Sequence, residues 1–164
     1  MAGAHRAQAH HLFEEFRRNL TRRPAHEDHS HLNFAGQCRE AIHAYAEAFG
    51  GTVACLITYR DANDPAYLPL LREDQLDWVY HAELLLDGQR IIMSDHADIA
   101  FAPCYQNFLT LMFNTKEEVH RAWAAIREGS TVIYPLEATR YSAARVVFVD
   151  RFGIRWGLMT EAAE

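Results

Sequence analysis

The sequence predicts an α+β fold built from two βαβββ units, and three observations predict it. The stretch from His31 to Val53, HLNFAGQCREAIHAYAEAFGGTV, reads as a short strand, a tight Gly turn, an amphipathic helix and the start of another strand. A degraded copy, NFLTLMFNTKEEVHRAWAAIREGSTVI, runs from Asn107 to Ile133; Ala44-Tyr45-Ala46 and Gly51 stand over Ala122-Trp123-Ala124 and Gly129 at one constant offset. After each copy come runs rich in strand-forming residues, separated by Gly-containing turns. Two such units form a groove between them, and function is expected there.

The totals narrow the classes. A chain of 164 residues is one ordinary domain or two small halves sharing a core, and its 49% hydrophobic share is ample for a packed interior. No run approaches the roughly 18 apolar residues of a membrane span. The N-terminus has no apolar run before a small-residue cleavage site, so no secretory signal is expected. Cys38, Cys55 and Cys104 are odd in number and outside CxxC spacing. That argues against a disulfide framework and for a reducing cytoplasm. A formal net charge of −6 argues against nucleic acid as a partner. Arg17, Arg18, Arg22 and Arg23 do cluster, but Glu14, Glu15, Glu27 and Asp28 lie nearby, as on a solvated helix face.

Residues 1–29 form an N-terminal extension, expected to be helical because Leu12, Phe13, Phe16 and Leu20 fall on one side at a period of 3.6. It holds His5, His10, His11, His26 and His29, so a metal-binding tract is the alternative. Adjacent His10 and His11 point to different faces, whereas chelation on a helix favours i, i+4 spacing; the structural reading is adopted.

Residues 30–95 are the first module. Leu32-Asn33-Phe34 is a strand broken by Gly36, and Cys38–Phe49 is a helix burying Ala41, Ile42, Tyr45, Ala48 and Phe49. Gly50-Gly51 terminates it, Gly being suited to a left-handed C-cap. Thr52–Tyr59 is a strand. Residues 60–77, with Pro65 and Pro69, are too long for a hairpin turn and are expected to be a binding loop or a dimer contact. Trp78–Leu86 and Arg90–Ser94 pair across Asp87-Gly88-Gln89. Residues 96–106 are a connector.

The second module, 107–161, repeats the order. Phe108–Phe113 is a strand; Thr115 caps a helix running to Arg127, with Glu118 in the capping-box position. Gly129 closes it, and Thr131–Leu136, Ala143–Val149 and Ile154–Thr160 are three more strands, the last two separated by the turn Asp150–Gly153. Residues 162–164 are a tail.

Several words of this sequence, NFAGQCREAIHAYAEAFGG, HAEL at 81–84, IIMSD at 91–95 and DRFGIRWGLMTE at 150–161, resemble the vicinal-oxygen-chelate superfamily of glyoxalase I, bleomycin-resistance proteins and extradiol dioxygenases. More narrowly they resemble its PhnB-like branch, over residues 30–161. The branch is often labelled methyltransferase-like, yet no Gly-rich adenosylmethionine loop follows the first strand. The resemblance implies that each module curls into half of an incompletely closed, barrel-like sheet, helices on the convex side and a pocket on the concave side. It also implies homodimers. Metal enzymes of the superfamily take one ligand from the first and last strand of each module. Those positions fall here at Ser30 (or His31 with a one-residue slip), Met93, Asn107 and Gly157. Met thioether is too soft for Zn, Ni or Fe(II), Asn binds weakly and Gly has no side chain, so the usual metal site is expected to be lost and no cofactor is expected.

Alternation along the strands proposes the pocket lining. Tyr80, Ala82, Leu84 and Leu86 make the apolar face, so His81 and Glu83 point into the groove. The same reading puts Ile91, Met93 and Asp95 inward on the next strand, then Asn107, Leu109 and Leu111, and Arg155, Gly157 and Met159. The expected ligand-binding set is therefore His81, Glu83, Met93, Asp95, Asn107 and Arg155, a mixed composition suited to a small molecule. His81, tuned by Glu83, is the candidate acid–base residue, with Glu83 as its partner; the alternative is an ordinary hydrogen bond between the two. Arg140-Tyr141 either closes on a ligand or is a solvated turn. Tyr45 and Trp123 are core, and Cys38, near a helix N-terminus, is structural. Three functions remain: a metal-independent small-molecule-binding homodimer; a divalent-metal lyase, isomerase or dioxygenase with ligands moved to His81, Glu83 and Asp95; and a metal-free acid–base enzyme using His81.

Overall fold

Each half of the chain lays down a strand, a helix and three further strands. In the first half these are β1 (Ser30–Phe34), α1 (Cys38–Phe49), β2 (Thr52–Thr58), β3 (Val79–Leu86) and β4 (Gln89–Asp95). A one-turn helix, α2 (Tyr59–Ala62), and two 3-10 turns, Leu68–Leu70 and Glu73–Gln75, fill the connection from β2 to β3. The second half has β5 (Leu109–Phe113), α3 (Lys116–Ile126), β6 (Thr131–Thr139), β7 (Ser142–Val149) and β8 (Arg155–Thr160). The computed structural model describes residues 29–97 and 107–160. The His-rich tract up to residue 28, most of the connector with Cys104, and the C-terminal tail lie outside the described residues. Within them the chain divides into two compact units, 29–46 with 51–97 and 47–50 with 107–160.

Both units are four-stranded sheets, ordered β1-β4-β3-β2 and β5-β8-β7-β6. In each, the first strand runs parallel to the last and the other neighbours are antiparallel. The two βαβββ modules are thus present, but the curved, incompletely closed barrel-like sheet is not. Each first strand is taken up by the last strand of its own unit, which completes an open sheet, and no ladder joins the two sheets among the described residues. The far edges are irregular. The β2 ladder shifts register at Val53/Cys55 and Ile57/Thr58, and β6 shifts three times and holds Pro135, which has no N–H to donate. Bulges and prolines at an edge end pairing rather than extend it.

In the first unit α1 buries Cys38, Ala41, Ile42 and Tyr45, spaced for one helical face. Both ends of the helix lie against one face of the sheet. Asp95 Oδ1, at the end of β4, accepts the backbone N–H of Gly36 and of Cys38 at the helix start. At the exit, Gly51 backs onto Leu84 and Leu86, where an added Cβ would come within 2.5 Å of a Leu86 methyl. Ala82, Leu84 and Met93, all 0% exposed, belong to this helix-bearing face. Gly36 enters the helix at φ +92 with the Trp78 indole only 2.8 Å from where a Cβ would sit, so both backbone and packing require glycine there.

In the second unit α3 packs on β5, β7 and β8, burying Val119, Ala122 and Ile126, with the Trp123 ring 4.6 Å from that of Phe148. The expected capping box is formed: Thr115 Oγ1 accepts the Glu118 N–H and Glu118 Oε2 accepts the Thr115 N–H. Thr115→Ala is expected to cost about 1 kcal/mol, read from the midpoint of urea unfolding. Among the described residues no helix is long and apolar enough to cross a membrane.

Candidate functional site

The hairpin between β3 and β4 decides which side chains share a face. Its turn has two residues, Asp87 at φ 46 and Gly88 at φ 81, the pair of left-handed conformations a type I′ turn requires. Leu86 therefore pairs with Gln89, Ala82 with Met93 and Glu83 with Ile92. A three-residue turn over Asp87-Gly88-Gln89 would have paired Glu83 with Met93 instead, and that is the register expected from the sequence. Because side chains alternate with a period of two, the difference of one residue exchanges the faces of β4. Met93 goes to the helix-bearing side, fully buried. Asp95, 1% exposed, goes with it and spends its carboxylate on the amides of Gly36, Cys38 and, through Oδ2, Val79. The row that carries Glu83 continues instead into Arg90, Ile92 and Ser94.

On this helix-free face of the first sheet, His31 pairs with Ile92 and Asn33 with Ser94 across β1–β4, while Cys55 pairs with Glu83 and Ile57 with His81 across β2–β3. Two polar groups result. In one, the Glu83 carboxylate lies 3.4 Å from His81 Nε2 and 3.3 Å from Arg90 Nη1, with all three side chains largely buried. Arg90 Nε is also buried and has no hydrogen-bond partner. In the other, Ser94 Oγ is 2.8 Å from His31 Nε2 and 3.2 Å from His96 Nε2, and donates to Asn33 Oδ1 at 3.2 Å. With the single Ser94 proton given to Asn33 Oδ1, the cluster is satisfied when both imidazoles donate their Nε2–H to the hydroxyl oxygen. That leaves Nδ1 of each as an acceptor.

Lost hydration, then repulsion from His96 and His81, holds the His31 imidazole below the ordinary histidine value of 6.5. A depressed folded-state value means that the unfolded chain binds the proton first as pH falls. His31 thus contributes stability above pH 6.5 that is lost as pH drops through its folded value. His31→Gln is expected to flatten the fall in urea midpoint between pH 7.5 and pH 5; an unchanged slope would contradict this. Cys55, facing Glu83, is pushed up to about 11 by burial and then by that carboxylate. The Cys38 thiol is raised by burial and by Asp95, so its place at a helix start does not make it reactive.

The remaining expected residues belong to the second unit. The ladder pairs Leu109 with Trp156 and Leu111 with Leu158, placing both leucines in the row that meets α3, while Thr110 and Met112 share the other face with Gly157 and Met159. Asn107 is exposed just before β5. Arg155 lies over the Phe108 ring, its guanidinium carbon 4.8 Å from the centroid. A Cβ on Gly157 would meet the Phe108 ring at 3.0 Å and Thr110 Oγ1 at 3.1 Å, so a side chain there would require those two side chains to shift. Arg140 and Tyr141 form an exposed turn.

The superfamily's metal does not fit these residues. Ser30 pairs with Ile91 and Met93 is sealed under the helix, so neither offers a donor to the free face. A one-residue slip brings His31, already bonded to Ser94, opposite Ile92, which has no donor atom. Among the described residues no group of three or more His, Cys, Asp or Glu side chains is placed to hold a metal ion. His81 and Glu83 lie together, but Asp95 is not with them.

The pairing of each first strand with its unit's last strand, repeated twice, is the architecture of the vicinal-oxygen-chelate superfamily, and comparison with solved structures matches the chain to that fold. Protein PA1353 from Pseudomonas aeruginosa is 28% identical, superposes with a TM-score of 0.71, and covers 84% of this chain and 98% of its own. A PhnB protein from Bacillus cereus is 22% identical with a TM-score of 0.65, covering 82% of this chain and 99% of its own. The fosfomycin resistance protein FosX from Listeria monocytogenes shares the fold at 12% identity, with a TM-score of 0.59 and coverage of 85% and 96%. No family model and no curated protein matches the sequence.

Sequence reasoning missed Asn33, Arg90, Ser94 and His96. The signal for Arg90 and Ser94 was present in Asp87-Gly88, whose residue types favour a two-residue turn.

Proposed function

We propose that this chain is a PhnB-like, small-molecule-binding protein that holds its ligand on the helix-free face of the first sheet without the superfamily's metal. The observation that carries the reading is Arg90: a buried guanidinium nitrogen with no partner, in a side chain whose Nη1 is anchored by Glu83. An orphaned donor of this kind is costly unless something accepts its hydrogen bond. A ligand oxygen, carbonyl or carboxylate, would do so beside His81. Arg90→Met keeps the stem and removes the donors, and is expected to weaken binding of a co-purified ligand at least tenfold, the scale of a charged hydrogen bond. Unchanged affinity, measured by calorimetry with the extracted ligand, would contradict the assignment.

His81→Ala separates this reading from acid–base catalysis. Under the binding reading it weakens the ligand; under catalysis it abolishes turnover while binding survives. The chain is further read as one half of a homodimer. Val132, Ile133 and Tyr134 are exposed on β6, and large apolar side chains exposed together suit packing against a second copy of the chain. Sedimentation equilibrium is expected to give twice the 18.8 kDa chain mass; a monomer at micromolar concentration would refute it. Cys38 and Cys55 are free thiols, which suits a cytoplasmic protein.

A further inference from the structure

The connection from β2 to β3 is not slack. Thr58 Oγ1 caps α2 by accepting the Asp61 N–H, Arg60 bonds Asp77 at 2.9 Å and Glu73 at 3.2 Å, and the buried Gln75 side chain accepts the Arg72 N–H. Its Tyr67 ring stands 6.0 Å from that of Tyr59 and 5.7 Å from that of Tyr80, while Tyr59 and Tyr80 meet edge to face at 5.3 Å. Tyr59 is locked by donating to the Asp95 carbonyl, and Tyr80 by donating to Asp64. A pocket of about 460 Å³ opens beside this cluster, lined among others by Tyr59, Tyr67, Leu70, Leu71, Arg72 and His96. That volume is within the range of small-molecule sites.

Three features define what fits. The walls are aromatic and aliphatic, and Leu70 is 77% exposed at the rim. Arg72, the one guanidinium among the described lining residues, already faces a carboxylate, bonding Asp74 at 3.0 Å through each oxygen. At its polar end is His96, whose Nε2 lies 3.2 Å from Ser94 Oγ; with Nε2–H donating there, Nδ1 is the accepting nitrogen. We propose that this pocket takes the planar, uncharged body of an aromatic ligand and that His96 Nδ1 accepts a hydrogen bond from the ligand's hydroxyl or N–H. The inference deepens the proposed function, since His96 is joined through Ser94 to the polar row, and it rests on that reading. The preset loop costs little ordering on binding, which favours affinity.

The test uses two fluorescent probes, 2-naphthol and 2-methoxynaphthalene, which share the ring system but differ in the donor. Wild-type protein is expected to bind 2-naphthol roughly fivefold tighter, the scale of one neutral hydrogen bond. His96→Phe is expected to abolish that preference while keeping ring binding. Tyr67→Ala, at an exposed position, is expected to weaken both probes roughly tenfold. Equal affinity of the two probes, titrations unmoved by Tyr67→Ala, or no saturable binding would each overturn the pocket assignment. Loss of binding in Arg90→Met with none in Tyr67→Ala would overturn it while leaving the polar row as the binding site.

Discussion

Asp95→Ala is expected to destabilise the protein by on the order of 4 kcal/mol, because it orphans several buried amides at once. Asp95 is 1% exposed, and its two oxygens accept the N–H groups of Gly36, Cys38 and Val79 at 2.7, 3.1 and 2.8 Å. These donors belong to the turn into α1, the first residue of α1 and the first residue of β3, so one side chain ties three segments together. Asparagine keeps only one accepting oxygen and presents an NH₂ to one of the donors; Asp95→Asn is expected to lose about half as much. The measurement is urea unfolding followed by far-ultraviolet circular dichroism. Were Asp95 a ligand-binding residue instead, either variant would lose binding with its unfolding midpoint intact.

The second large effect lies in the other unit. Trp156 is fully buried among the side chains that α3 covers, and its Nε1–H donates to Asp150 Oδ2 at 2.8 Å. Asp150 also accepts the N–H of Phe152 and of Ile154 through Oδ1, fixing the turn between β7 and β8. Trp156→Ala removes the largest buried side chain and is expected to cost about 4 kcal/mol. Trp156→Phe preserves most of the packing but leaves Asp150 one donor short, so about 2 kcal/mol is expected. A Phe variant as unstable as the Ala variant would show that the lost hydrogen bond, not the volume, sets the cost.

What the sequence made legible is what depends on neighbours in the chain. The apolar spacing of Ala41, Ile42 and Tyr45, the box formed by Thr115 and Glu118, and the glycine at the end of α1 each act within a turn or two, and each stands where expected. The faces of His81 and Glu83 were legible too, from alternation along one strand. Across the hairpin the reading failed by one residue, because assigning three residues rather than two to the turn inverts the faces of β4. That single residue moved Met93 and Asp95 onto the free face and hid Arg90 and Ser94. The Ser94 cluster was out of reach for another reason: it joins His31 to a hydroxyl sixty-three positions away. No local pattern marks such a contact. The expectation of a curved, incompletely closed, barrel-like sheet came from resemblance alone, and the ladders give two separate open sheets.

The most direct test of metal-independent binding is native mass spectrometry of untagged protein, paired with metal analysis of the same sample. The expected result is a releasable organic molecule, divalent metal well below one per chain, and loss of that molecule in Arg90→Met. Near-stoichiometric Zn, Ni, Fe or Mn, removed by His81→Ala, would contradict it.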